Sequence, residues 1–252
     1  MRFRRYLIPL AALALMAAAP SASARPTQIT VNGGMQPGGL ARGAGSNISG
    51  TSQNWSGLVV SGGADTFTSV SGSWVEPTAT CSSGNQYASF WVGLDGWSGR
   101  TVEQTGSDAD CNGSTPAYHV WYEMYPSPPV YFSNPVSPGD ELMGSVTYDG
   151  LNTFTIVLTD VQKGWTRTLY PGEAGAARAS AEVIAEAPGN SNGILPLTDF
   201  GAVHYGIAYV NGKKITSFSP TIVTMVDPYG FDKDRVTITE LGNFWVTWLM
   251  SS

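Results

Sequence analysis

The stretch LMGSVTYDGLNTFTIVL, residues 142–158, sets two runs rich in Val, Thr, Phe, Tyr and Ile on either side of Asp149-Gly150. An Asp-Gly pair between two such runs is the strongest short-range signal for a β-hairpin. The turn that matches strand twist needs left-handed residues at its centre, and these types accept that conformation. The turn is therefore expected at Asp149-Gly150. The same texture extends both ways. Strand-like runs fall at Gly57–Val60, Phe67–Val75, Tyr87–Leu94 and Tyr118–Tyr125, and later at Ala181–Glu186, Val203–Val210, Thr221–Val226, Val236–Thr239 and Phe244–Leu249. A second turn signal, Asn211-Gly212, sits inside the later set. Ala174–Ala185 is alanine-rich enough for a local helix, but Val183 and Ile184 end it in a β-like run before Pro188. Short strands at regular spacing with turn punctuation predict an all-β sandwich or barrel.

Three regions are expected along the 252 residues. Arg2, Arg4 and Arg5, an apolar run from Tyr6 to Ala19 and the small residues Ala22-Ser23-Ala24 read as a secretory signal peptide over residues 1–24. Residues 25–50, rich in Gly, Ser, Ala and Pro, bury too little to fold alone and read as a linker or short propeptide. Residues 51–252 form the β domain. Loss of the signal peptide removes three Arg and no acid, so Lys+Arg falls from 13 to 10 against 19 Asp+Glu and the formal net charge moves from -6 to -9. Such a chain lacks the clustered cations that nucleic acid requires. No later run approaches the roughly 20 apolar residues of a membrane span. A secreted, monomeric protein with no membrane partner is expected after signal cleavage. In an oxidising compartment the two cysteines, Cys81 and Cys111, are expected as one disulfide. Closing that loop stabilises by about 3 kcal/mol through lost chain entropy.

Alternate residues of a strand point to opposite faces. In Tyr87–Asp95 one face carries Phe90, Val92 and Leu94, and the other Trp91, Gly93 and Asp95. In Tyr118–Tyr125 the second face carries His119, Trp121, Glu123 and Tyr125, and in Ala181–Glu186 it carries Glu182, Ile184 and Glu186. Trp beside Asp or Glu is neither core nor ordinary solvated surface. If these strands neighbour one another, Trp91, Asp95, Trp121, Glu123, Glu182 and Glu186 line one ligand groove. The alternative is that the carboxylates merely accept hydrogen bonds from turns.

The chemistry such a groove supports is limited by what the chain lacks. Only His119 and His204 occur, no HExxH run exists and no metal site is expected. The GNSNG run at 189–193 matches a serine-nucleophile elbow in letters, but Pro188 precedes it and Ile194-Leu195-Pro196 follows, so it reads as a loop. Carboxylate chemistry remains, either glycoside hydrolysis by two acids or amide hydrolysis by one acid and a nearby donor. A carbohydrate-binding module stacking on Trp91 and Trp121 is a third reading.

Several segments then resemble the glutamic peptidases, or eqolisins. These are Asn54-Trp55-Ser56-Gly57, the run from Tyr87 to Gly96, Val102-Glu103-Gln104-Thr105-Gly106, Trp121-Tyr122-Glu123-Met124-Tyr125-Pro126, Ala181–Glu186 and Leu195–Phe200, in the family's order. The resemblance implies two large bent antiparallel sheets in a concanavalin-like jelly roll, with the site on the concave face. It implies that Gln104 and Glu186, rather than Glu182, are the catalytic pair, that Trp91, Asp95, Trp121 and Glu123 line the substrate site, and that no cofactor is used. It implies an acid endopeptidase acting on polypeptides: Glu186 takes a proton from a water shared with Gln104, and the Gln104 amide donates to the oxyanion. His119 and Val183 depart from the family's usual residues, and Cys81 and Cys111 do not clearly match its cysteines.

Overall fold

The computed structural model describes residues 49–239 and 241–251. The signal-peptide and linker readings fall on residues 1–48, outside the described part. Two large sheets face one another. Across sheet I the order is β1 (Ser49–Ser52), β17 (Thr221–Met225), β2 (Trp55–Ser61), β11 (Ser180–Glu186), β4 (Ser89–Leu94), β5 (Val102–Asn112), β6 (Thr115–Tyr125) and β7 (Val130–Phe132). Across sheet II it is β10 (Trp165–Leu169), β9 (Thr153–Asp160), β8 (Glu141–Gly150), β3 (Ser69–Val75), β14 (Ala202–Tyr205), β19 (Phe244–Trp248) and β18 (Asp234–Ile238). The short strands β15 (Tyr209–Val210) and β16 (Lys213–Lys214) attach to β3, and β12 (Gly189–Asn190) pairs with β13 (Gly193–Ile194). Every pairing between these strands is antiparallel except β1 with β17, and an isolated parallel bridge joins Tyr87 to Leu197. Among the described residues the one helical piece is a 3-10 turn, Ile215–Phe218. The fold is the all-β sandwich expected.

Alternation builds the core. On β9, Phe154, Ile156 and Leu158 are fully buried while their neighbours are not. Each such side chain contributes about 1.5–3 kcal/mol over leaving it exposed. From sheet I, Leu58, Phe90, Val92, Val120 and Val183 meet Val146, Ile156 and Phe244 of sheet II in one cluster. Gly144 permits the close approach, since a Cβ there would lie 2.9 Å from Val92 Cγ2. Cys81 and Cys111 form the expected disulfide, with Cα atoms 5.5 Å apart.

Three local expectations need correction. The β8–β9 turn is centred on Leu151-Asn152, both left-handed (φ 52° and 61°), two residues beyond Asp149-Gly150. Gly150 instead extends β8 across an irregular register. Residues 174–179 are not helical, and β11 begins at Ser180. The run Val203–Val210 breaks into β14 and β15, whose registers on β3 differ by one residue, with Tyr205 opposite Trp74 and Tyr209 opposite Ser71. The Asn211-Gly212 turn is where expected, with φ 48° and 73° between β15 and β16. The GNSNG run is a loop closed by the small β12–β13 pair.

Candidate active site

Strands β11, β4, β5 and β6 are consecutive in sheet I. Their register places one residue from each strand in cross-strand rows on the face turned away from the core. One row is Glu186, Ser89, Asp108 and His119. The next is Ile184, Trp91, Gly106 and Trp121. The third is Glu182, Gly93, Gln104 and Glu123. The structure therefore unites Trp91, Trp121, Glu123, Glu182, Glu186 and Gln104 on one face. Gln104 and Glu186 are separated by β4 and offset by four residues, and Glu182 lies in line with Gln104 across Gly93.

This outer face packs its own large side chains. Trp55, Trp91, Trp121, Ile184, Val102 and Tyr131 are buried in a cluster separate from the core. Trp55 meets Trp91 edge-on at 4.9 Å and stacks on Trp97 at 6.5 Å. Two glycines make room for the indoles. A Cβ on Gly106 would lie 2.6 Å from Trp91 Cβ and 2.9 Å from Trp121 Cζ2. A Cβ on Gly93 would lie 2.9 Å from Trp91 Cζ3 and 3.0 Å from Gln104 Cβ. The Trp91 ring thus spans the diagonal, from the neighbourhood of Gln104 at one edge to Glu186 at the other.

The polar groups of this face are tied together inside it. Trp91 Nε1 donates to Glu186 Oε2 at 2.9 Å, and Asn54 Nδ2 donates to Glu186 Oε1 at a longer 3.5 Å. Gln104 Nε2 donates to Glu123 Oε2 at 2.6 Å, while the buried Gln104 Oε1 accepts no hydrogen bond among the described residues. Burial pushes Glu123 up to about 8, outweighing the bond from Gln104. Burial also raises Glu182 well above the usual range, with Asp95 and Glu103 adding repulsion. Asp108 accepts Trp121 Nε1 and Ser89 Oγ, each at 2.7 Å. Burial raises Asp108, and the bond from Ser89 and the charge of His119 oppose that shift.

Asp95 behaves differently from its neighbours on the strand. Its φ of 68° ends the alternation of β4, and its two oxygens accept the backbone N–H groups of Arg178 (2.7 Å) and Ala179 (2.8 Å). Here the turn-acceptor alternative describes the contacts. Asp108 and Asn54 join the site without having been singled out. The signal for Asp108 was the two-residue spacing Gln104, Gly106, Asp108.

The profile of the Peptidase A4 family matches residues 53–244. No curated protein sequence matches the chain. Among solved structures, scytalido-glutamic peptidase with a transition state analog inhibitor is similar at TM-score 0.67 and 25% identity, over 78% of this chain and 98% of that one. SCP-B of the eqolisin family, in complex with a tripeptide, aligns at TM-score 0.63 and 24% identity over 78% and 98%. Aspergilloglutamic peptidase from Aspergillus niger aligns at TM-score 0.58 and 23% identity over 65% and 99%. With its sandwich, its buried carboxylate-and-indole face and a family match over most of its length, the chain belongs to the Peptidase A4 family and is a glutamic endopeptidase.

Proposed function

We propose that this peptidase is a secreted acid endopeptidase in which Glu186 is the general base and Gln104 the oxyanion donor. One observation carries the reading: a fully buried carboxylate, held by the Trp91 indole N–H, shares its sheet face with a buried neutral amide. The donor fixes the orientation of the Glu186 carboxyl. The scissile carbonyl is taken between the two groups. Ionised Glu186 takes a proton from a bound water, and the resulting hydroxide oxygen attacks the carbonyl carbon. The Gln104 N–H groups donate to the developing oxyanion, and Glu186 returns the proton to the leaving nitrogen. The groove residues Trp91, Trp121 and Glu123 shape the substrate site, while Asp95 fixes the turn beside it. The disulfide Cys81–Cys111 supports an exported protein. Trp91 and Trp121 are 0 % exposed, so they offer no free face for stacking sugars.

Glu123 gives the reading its pH dependence. Below about 8 its carboxyl is neutral. A carboxylic acid can donate one hydrogen bond, so in this reading the Gln104 amide turns over, the Gln104 Nε2–Glu123 Oε2 bond is replaced by donation from protonated Glu123 to Gln104 Oε1, and the amide N–H groups are left to the substrate. Cleavage of a denatured protein is expected to be greatest in acid and to fade as pH approaches 8. Glu123→Gln, whose amide also donates, keeps cleavage and extends it to higher pH. Glu123→Ala lowers kcat by about tenfold or more with little change in KM, because it frees the amide it should aim. Absence of cleavage at every pH from 3 to 8 would refute the reading, and wild-type kcat in Glu123→Ala would refute the role of Glu123.

A further inference from the structure

Lys233 is 4 % exposed and lines an open cleft of about 410 Å³ at one end of the sandwich. Its backbone is fixed on both sides, donating to Met225 O at 2.7 Å and accepting from Leu249 N at 2.9 Å. Its ammonium makes no hydrogen bond or ion pair among the described residues. Burying an unpaired charge is costly, and burial accordingly lowers the lysine's affinity for its proton. Asp234 and Asp227 act on it through space and favour the charged form, yet both are engaged elsewhere. Asp234 Oδ1 accepts Ser56 Oγ at 2.7 Å, and Asp227 Oδ1 accepts the N–H groups of Tyr229 (2.9 Å) and Phe231 (2.8 Å). Burial raises Asp234 to about 7, so in acid that neighbour is neutral and the positive charge of Lys233 is less compensated.

The rest of the wall is mixed. Ile194 and Pro196 give apolar surface, and Gln53 and Ser251 bring further hydrogen-bonding groups. Two chain connections tie the cleft to the Glu186 end of the active face. Gln53 directly precedes Asn54, which donates to Glu186. The β12–β13 loop, which supplies Gly193 and Ile194, leaves β11 only three residues after Glu186. We propose that this cleft is an accessory substrate site that takes a peptide carboxylate onto the Lys233 ammonium. The proposal rests on the peptidase reading for its substrate class. A chain-terminal carboxylate and an acidic side chain present the same chemistry to the site.

Calorimetric binding to the full chain separates these sources and does not depend on turnover. The probes are N-acetyl trialanine as free acid, the same peptide as amide, and the amide with a central glutamate. The free acid, or the glutamate peptide if side chains are the natural source, is expected to bind about tenfold tighter than the plain amide, the usual gain from a charge-assisted bond. In Lys233→Met that difference disappears, and the variant melts no lower than wild type, because an unpaired buried charge has been removed. Equal binding of all three peptides to wild type overturns the inference, as does a preference that survives in Lys233→Met. Failure to cleave denatured protein counts only against the peptidase reading.

Discussion

Glu186→Gln lowers kcat/KM on a denatured protein by about 10³–10⁴-fold at acid pH, the upper range for loss of a general base. The change is isosteric, so the remaining carbonyl oxygen still accepts the Trp91 indole N–H, the long 3.5 Å contact from Asn54 is lost, and melting should change little. The proton acceptor is lost. Gln104→Ala costs about 10²–10³-fold, the usual loss for one oxyanion donor. The double variant falls little below Glu186→Gln alone, because the two groups act on one step. Glu182→Gln is the decisive companion. Register puts Glu182, not Glu186, in the row of Gln104. Yet burial, with Asp95 and Glu103 near it, raises Glu182 and disfavours its ionised form, whereas Glu186 is the carboxyl that the Trp91 indole N–H holds. The Glu182→Gln variant should retain activity within a few-fold. An active Glu186→Gln beside an inactive Glu182→Gln would transfer the role to Glu182.

The second large effect is on stability. Glu103 and Asp110 are pushed by burial up to about 9, Glu123 to about 8 and Asp234 to about 7, and Glu76 and Glu182 are raised well above the usual range. Their unfolded counterparts titrate near 4. Between those limits the folded state holds protons that the unfolded state releases. Stability is therefore complete below about pH 4 and is lost as pH climbs through the folded values. One such group contributes at most about 1.4 kcal/mol per pH unit across its window, and several act together. Tm is expected to be highest near pH 3–4 and to drop by well over about 10 °C by pH 8. Glu182→Gln should flatten that slope. A Tm that is level or rises toward neutrality would show that these carboxyls are ionised in the fold.

The sandwich was legible because most strands keep one apolar face: β8, β9, β11 and β19 all lie where Val, Ile, Phe and Leu recur at spacing two. Strand β5 was not. Its sequence VEQTGSDADCN has no apolar alternation, because polar side chains are buried on both of its faces. Gln104 and Asp108 face the site. Ser107 faces the core, where it accepts Trp74 Nε1 at 2.8 Å and donates to Glu76. Hydrogen bonds across layers replace the apolar contacts that sequence patterns detect. The strand that carries Gln104 therefore came from resemblance alone, whereas Trp91, Trp121, Glu123 and Glu186 came from alternation. Asp95 departs from the strand pattern because alternation presumes extended backbone, which its left-handed φ breaks.

Half of the chain's eight indoles, Trp55, Trp91, Trp97 and Trp121, gather in the buried cluster of this outer face, and one of them is hydrogen-bonded to Glu186. Half of the indoles thus emit from the face that carries Glu186 and Gln104. Titrating that carboxylate, or seating a ligand beside Glu186, should alter the brightness and wavelength of emission. The protein carries a built-in optical gauge of its own active face, one that needs no dye and no labelled peptide.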